Sequence, residues 1–352
     1  MDGLVLPLGG FLCGFLAGFA AQYGRLCTVG AIEDAVIAGD FRRASAWALA
    51  AAIAVAGVQA LVLAGALDLS AIHHARGRLD LFALVAGGLL FGLGAALVGT
   101  CAFGLVVRLG TGDLRALVSA IVLGLAAYAA TGGILSPLRL RLSEIGAVDT
   151  SALGGKTVPA VVGTQLGAGA AVLGVVLLAG GLLVFALANQ RLYRKPRLMA
   201  ASCLMGCAVV AGWVVTGVLA DPFGDQRPES LSFVAPFGRL LMQVMGEALA
   251  SAGFGVATLF GVGAGSFAVA AARDELRWEA FDDAREMRRH LLGALLMGVG
   301  GVLARGCTIG QGLTGMSTLS MAAPVAVLAM VVGARLGLIH LIEGRPLFAR
   351  RR

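Results

Sequence analysis

Three cysteines stand at glycine-rich breaks in apolar runs, and they are the residues best placed for chemistry. The breaks are residues 24–30, 99–104 and 305–315. All three share the spacing Cys-x-x-Gly, and the first and last read Arg-x-Cys-Thr-x-Gly. The candidate substrate-contacting residues of these turns are Arg25, Cys27, Gly30, Cys101, Gly104, Arg305, Cys307, Thr308, Gly310 and Gln311.

The turns favour a site for an anion. Irregular backbone at membrane depth persists only where it is buried in protein or lines a wet cavity. A helix that begins just after such a turn presents free N–H groups and a partial positive charge. Arg25 and Arg305 add full positive charges, and charged residues beside membrane spans are functional candidates. The alternative is that both arginines extend to the membrane interface without contacting a ligand.

The cysteines narrow the chemistry of the anion. A thiol is soft, polarizable and a weak hydrogen-bond donor, which suits a sulfur-bearing ligand better than phosphate or carboxylate. A cysteine taken alone is usually a small buried hydrophobe, and that is our interpretation of Cys13. Cys203 and Cys207 share a helix face because they are four residues apart. They could meet a ligand or a metal, but we interpret them as core thiols.

Other candidate groups are fewer. Glu247 interrupts an apolar stretch and is a candidate for proton or ion coupling, with Arg239 as its partner. His73 and His74 have no third ligand nearby, so no metal site is predicted. The glycines of residues 261–265 predict close helix packing. We find no convincing catalytic triad, phosphate-binding loop or dinucleotide fingerprint, and therefore expect neither an enzyme nor a cofactor.

Composition places the chain in a bilayer. Hydrophobic residues make up 59% of the 352 positions and charged residues only 13%, whereas soluble domains carry about 25% charged residues. The net charge of +7 comes mostly from short segments between apolar runs, where it sets topology rather than binding nucleic acid. All six cysteines lie in or beside apolar runs, which argues against a secreted disulfide framework.

The apolar runs predict an all-α integral membrane protein with about nine transmembrane helices, plus short broken or re-entrant helices. The predicted spans are residues 4–21, 46–67, 81–100, 114–135, 161–187, 198–220, 251–272, 291–304 and 317–340. Residues 273–290 are expected to form a charged loop with an amphipathic helix. The arginine-rich tail predicts a cytoplasmic C-terminus.

The two halves of the chain look related, because each carries an Arg-x-Cys-Thr-x-Gly turn after a glycine-rich apolar run. Matching broken helices in two halves are typical of transporters. We therefore expect a first transmembrane repeat at residues 1–140, a polar connection at 141–160 and a second repeat at 161–352. The alternative is chance similarity within a chain rich in glycine, alanine and leucine.

The ordered turns resemble those of the YeeE/YedE membrane proteins, a family that includes thiosulfate uptake permeases. The resemblance rests on the glycine runs that lead into residues 24–27, 99–101 and 305–310, and it covers the whole chain. It implies a bacterial inner-membrane transporter whose path for a sulfur-containing anion is lined by Cys27, Cys101 and Cys307. A cytoplasmic sulfur-carrier protein that takes the product is also implied by the family.

We therefore expect uptake of thiosulfate. Two alternatives stay open. One is a membrane-bound sulfurtransferase whose cysteine thiolate forms a persulfide, although no general base is evident. The other is a permease for a different sulfur or selenium compound.

Overall fold

The apolar runs fold into helices whose ends are marked by capping residues. The computed structural model describes residues 4–68, 79–148, 157–220, 227–246 and 253–343. Asp113 and Asp283 each accept a backbone N–H at the start of a long helix, which is the usual role of an aspartate at that position. Gly99 ends another helix in the left-handed conformation, with φ at 75°.

The first half of the described chain contains eight helices. These are α1 (Val5–Gly24), α2 (Thr28–Ile37), α3 (Arg42–Leu63), α4 (Leu81–Val98), α5 (Ala102–Gly110), α6 (Leu114–Thr131), α7 (Ser136–Glu144) and α8 (Val158–Leu166). The short strands β1 (Leu79–Asp80) and β2 (Ala147–Val148) pair antiparallel.

The second half continues the helical pattern. Its helices are α9 (Ala168–Ala188), α10 (Gln190–Tyr193), α11 (Pro196–Gly217), α12 (Val234–Met245), α13 (Phe254–Ala272), α14 (Ala284–Leu303) and α15 (Ala322–Glu343). Between α14 and α15 lies a π-helical segment, Gly310–Gly315. The predicted span 161–187 is interrupted at Gly167, whose φ of 90° is not helical.

Eight helical segments of the described residues are long and apolar enough to cross a membrane. The predicted all-α, multi-pass membrane fold is therefore confirmed, while the count of about nine spans is not. Helix α14 is outside the eight. Its first turns carry charges, including Arg285 and Glu286, that belong to the predicted loop 273–290. That loop is therefore shorter than expected, because Asp283 caps a helix that runs unbroken to Leu303.

Small residues let the helices approach closely. A Cβ atom added to Gly14 or Gly18 of α1 would clash with backbone atoms of α13, and one added to Gly261 of α13 would clash with α1. The same holds for Gly92 of α4 and Gly333 of α15. Such contacts stabilise helix pairs in membranes, and they confirm the close packing predicted for residues 261–265.

The directions of the helices follow from these contacts. Helices α1 and α13 run parallel, and so do α6 and α14, whose first turns are joined by Arg115 and Glu286 at 3.1 Å. The end of α13 meets the start of α6, because the Arg277 N–H donates to the Thr111 carbonyl at 3.0 Å. Arg25, after α1, and Arg305, after α14, therefore lie at opposite ends of the bundle.

Candidate functional site

Each of the three predicted cysteines stands directly before a short helix. Cys27 is the N-cap of α2, and its Sγ accepts the Gly30 N–H at 3.4 Å. Cys307 Sγ accepts the Gly310 N–H in the same way at 3.3 Å. Cys101 is the N-cap of α5 in extended backbone, without a side-chain cap bond. The sulfurs thus occupy the position where a helix offers N–H groups and a partial positive charge.

The glycine three residues after each cysteine lies in crowded surroundings. A Cβ on Gly310 would lie 3.7 Å from Cys307 Sγ, and one on Gly104 would lie 4.0 Å from Cys101 Sγ. The nearest neighbours of an added Cβ would be Arg43 at Gly30, Thr100 at Gly104 and Ser232 at Gly310. Glycine in the spacing Cys-x-x-Gly is therefore required by these crowded surroundings.

The arginines of the motifs shape the turns. Arg25 and Arg305 adopt left-handed backbone with φ of 52° and 56°, a conformation uncommon for residues other than glycine. Arg25 ends α1 and pairs with Glu275 at 3.0 Å. Arg305 follows α14 and pairs with Asp80. Both cations therefore face a carboxylate at the edge of a cavity.

The first cavity, here the Arg25 vestibule, has a volume of about 620 Å³ and contains two of the cysteines on its wall. Four arginines line it together with two carboxylates. Its polar and sulfur-bearing lining residues are Gln22, Arg25, Cys27, Thr28, Arg43, Thr100, Cys101, Arg108, Thr111, Asp274, Glu275 and Arg277. The excess of positive charge suits an anion.

The second cavity, here the Arg305 vestibule, has a volume of about 560 Å³. Its polar lining residues are Thr131, Arg139, Trp213, Arg227, Glu229, Ser230, Ser232, Arg239, Arg305 and Thr314. Gly310 lies on its wall, and Cys307, whose sulfur accepts the Gly310 N–H, is fully buried. Four arginines face a single carboxylate among the described lining residues.

The two vestibules lie at opposite ends of α6. Thr111, just before α6, lines the first, and Thr131, its last residue, lines the second. An 18-residue helix is about 27 Å long. Cys27 and Cys101 share the wall of the Arg25 vestibule. Cys307 is buried next to Gly310, which lines the Arg305 vestibule.

The remaining predicted residues have other surroundings. Thr308 Oγ1 lies 3.4 Å from Thr28 Oγ1 beside an apolar cleft. Gln311 is buried, and its Nε2 donates to the carbonyls of Ala304 and Arg305 at 2.9 and 3.1 Å. Gln311 therefore holds the turn before Cys307 in place.

Arg239 lines the Arg305 vestibule and pairs with Glu229 at 3.5 Å. Glu247, its predicted partner, lies outside the described residues, as do His73 and His74. Of the other cysteines, Cys13 is buried within the bundle as expected, Cys203 is half-buried and Cys207 is exposed on α11, so the interpretation of Cys207 as a core thiol is wrong. None of these three lines a described vestibule.

Sequence reasoning missed several vestibule residues. Arg43, Arg108 and Arg277 line the Arg25 vestibule, and Arg139 and Arg227 line the other one. Each lies at or beyond the end of an apolar run, where a basic residue also sets topology. Only Arg108, seven residues after Cys101, was close enough in sequence to suggest a shared site.

Comparison with known proteins identifies the family of the chain. The chain is 28% identical over 350 residues to the thiosulfate transporter TsuA of Escherichia coli K12, covering 93% of this chain and 92% of that protein. It is also 28% identical to the thiosulfate transporter TsuA of Spirochaeta thermophila, covering 92% and 96%. The sequence model of the Sulphur transport family matches residues 23–336, which confirms the resemblance to YeeE/YedE proteins. The chain therefore belongs to the sulphur transport family.

Proposed function

We propose that this protein takes up thiosulfate across the bacterial cytoplasmic membrane. The path runs from the Arg305 vestibule past Cys307, Cys101 and Cys27 to the Arg25 vestibule. The observation that carries the proposal is the position of three thiols at helix N-termini, two on the wall of one arginine-lined cavity and the third next to the wall of another. The names of both relatives support thiosulfate as the substrate.

The chemistry of the path follows from its parts. A dianion that leaves water must be compensated in stages, because an uncompensated buried charge is costly. The arginines of each vestibule offer full positive charges, and the helix N-termini offer N–H groups further in. Neutral thiols then offer weak S–H donors and polarizable sulfur to the sulfur end of the ion.

The orientation follows from the distribution of charge. The Arg25 end of the bundle also carries Arg42, Lys195 and Arg197, which line a neighbouring cavity. An excess of basic residues favours the cytoplasmic side. We therefore place the Arg25 vestibule and the C-terminus in the cytoplasm, where a sulfur-carrier protein would receive the product, and the Arg305 vestibule outside.

An internal duplication fits the same arrangement, with repeats at residues 1–140 and 161–352. Matching helix pairs support an inverted relation. Helix α4 packs on α15 as α14 packs on α6, and α1 packs on α13 as α11 packs on α3. In this matching Cys101 corresponds to Cys307, while the position that corresponds to Cys27 precedes α12 and is Phe233. The two Arg-x-Cys-Thr-x-Gly turns from which the repeat was predicted are therefore not equivalent positions.

The test is uptake of labelled thiosulfate into proteoliposomes by the wild type and by Cys27→Ala, Cys101→Ala and Cys307→Ala. Cys13→Ala is the matched control, because Cys13 is buried but lines neither vestibule. We expect uptake to fall in the three variants and to persist in the control. Uptake that survives in all three variants would exclude a cysteine-lined path.

The same material separates transport from the sulfurtransferase alternative. Both relatives are named transporters, which favours transport. Mass spectrometry after exposure to thiosulfate is expected to show unmodified thiols. A persulfide on one of the three cysteines would instead support group transfer. Uptake of a different sulfur or selenium compound, without uptake of thiosulfate, would retain the proposed path but refute thiosulfate as the substrate.

A further inference from the structure

We propose that Glu229 competes with the substrate anion for Arg239, so that anion binding in the Arg305 vestibule takes up one proton. This inference rests on the function proposed above, because it concerns the cavity by which the anion enters. It makes Glu229 a positioning residue that links entry of the anion to pH.

The backbone of Glu229 is held firmly beside the cavity. Thr216 Oγ1 of α11 accepts the Glu229 N–H at 3.2 Å and donates to the Glu229 carbonyl at 2.6 Å. The next residue, Ser230, donates its hydroxyl to the Val209 carbonyl at 2.7 Å. The carboxylate therefore faces the vestibule from a fixed point, and its Oε1 lies 3.5 Å from Arg239 Nη1.

The cavity that this carboxylate faces is lined by four arginines. Arg139 of α7, Arg239 of α12, Arg305 after α14 and Arg227 of its own segment all line the same cavity. The N–H of Gly255, in the first turn of α13, also faces Glu229. Without a ligand, the ionised carboxylate satisfies Arg239. An arriving dianion brings two negative charges to the same cations.

Burial raises the pKa of the Glu229 carboxyl above its usual range, although Arg239 and the Gly255 N–H act in the opposite direction. A nearby anion raises the pKa of a carboxyl further, because like charges disfavour ionisation. Binding of the anion therefore drives proton uptake at Glu229, and the protonated carboxyl releases Arg239. The apparent affinity for the anion must therefore fall as pH rises through the range in which Glu229 loses its proton.

The test is the pH dependence of KM for thiosulfate uptake in proteoliposomes. One linked proton predicts that the wild-type KM rises by up to about tenfold per pH unit. We expect Glu229→Gln to flatten this slope and to lower KM at the higher pH values. Glu144→Gln is the matched control, since Glu144 is exposed on α7 and is not a lining residue. It is expected to keep the wild-type slope.

Proton uptake is also measured directly, by calorimetric titration of the purified wild type with thiosulfate in two buffers of different ionisation enthalpy. This readout does not depend on the folding of a variant or on transport. Binding with about one proton taken up supports the inference. If such binding is observed but thiosulfate uptake into vesicles is not, only the proposed transport function is refuted. Binding without proton uptake, or a Glu229→Gln variant with the wild-type slope, overturns the inference while thiosulfate uptake stands.

Discussion

Replacing Cys307 by serine separates the two roles that the structure gives this residue. As an N-cap, Cys307 accepts the Gly310 N–H, and as a candidate site residue it offers a soft sulfur. Serine is among the best N-cap residues and keeps a side-chain acceptor at this position. It does not keep the polarizable sulfur. We expect Cys307→Ser to preserve the fold and to lower thiosulfate uptake.

The magnitude for the fold follows from burial and capping. Loss of a cap costs about 1 kcal/mol, and removing the packed sulfur of a fully buried residue costs about another 1 kcal/mol. Cys307→Ala should therefore cost about 2 kcal/mol, which for 352 residues is a fall of about 3 °C in the unfolding midpoint. Cys307→Ser should recover about half of this loss.

Cys101 provides an internal comparison. Its side chain makes no cap bond. Cys101→Ala should therefore lose only the packing contribution to stability, and Cys101→Ser should gain no stability over Cys101→Ala from capping. The assay pairs thermal unfolding in detergent with uptake of labelled thiosulfate. If Cys307→Ser transports as well as the wild type, the soft sulfur of Cys307 is not needed, and this residue acts only as a helix cap.

Two further predictions test the packing and the electrostatics. Gly18→Leu should abolish monodisperse protein in detergent, because the added Cβ would clash with Val262 backbone atoms. Gly174→Leu is the control, since Gly174 faces open space on α9. Equal yields of the two variants would contradict the α1–α13 packing. The hydrogen bond from Arg25 holds the pKa of Glu275 below its usual range. The pair thus adds stability at about pH 7 that is lost as pH falls through this lowered pKa. Arg25→Gln should reduce the difference in thermal stability between about pH 7 and about pH 4, and an unchanged difference would show that the pair contributes nothing.

The sequence was most informative where a local break interrupts an apolar run. The ends of α1 and α4 lie within a few residues of their predicted bounds, because glycine and left-handed backbone mark these points. The start of α14 was misplaced, since charges near residues 285–289 suggested a loop. They are accommodated because Asp283 caps the helix and Glu286 pairs with Arg115.

The vestibules were much less predictable. Their arginines come from distant parts of the chain, such as Arg43, Arg108 and Arg277, and only the tertiary packing brings them together. Helices that are apolar all round also give no sequence signal for the face that lines a cavity. Arg239 pairs with Glu229, which lies before α12 in a segment with no periodic pattern. The sequence therefore suggested Glu247, the acid nearer to Arg239 along the chain, as its partner.

The three Cys-x-x-Gly turns share a steric reason for glycine, and two of them share a cap. The Gly30 and Gly310 N–H groups donate to Cys27 and Cys307, whereas Cys101 makes no such bond. A Cβ atom on any of the three glycines would crowd a neighbouring side chain. Serine would cap better than cysteine, so capping does not by itself explain a cysteine at three such turns. Serine also keeps most of the volume of the buried side chain but loses the soft sulfur, whereas alanine loses both. The comparison of serine with alanine at these positions therefore bears directly on the proposed path.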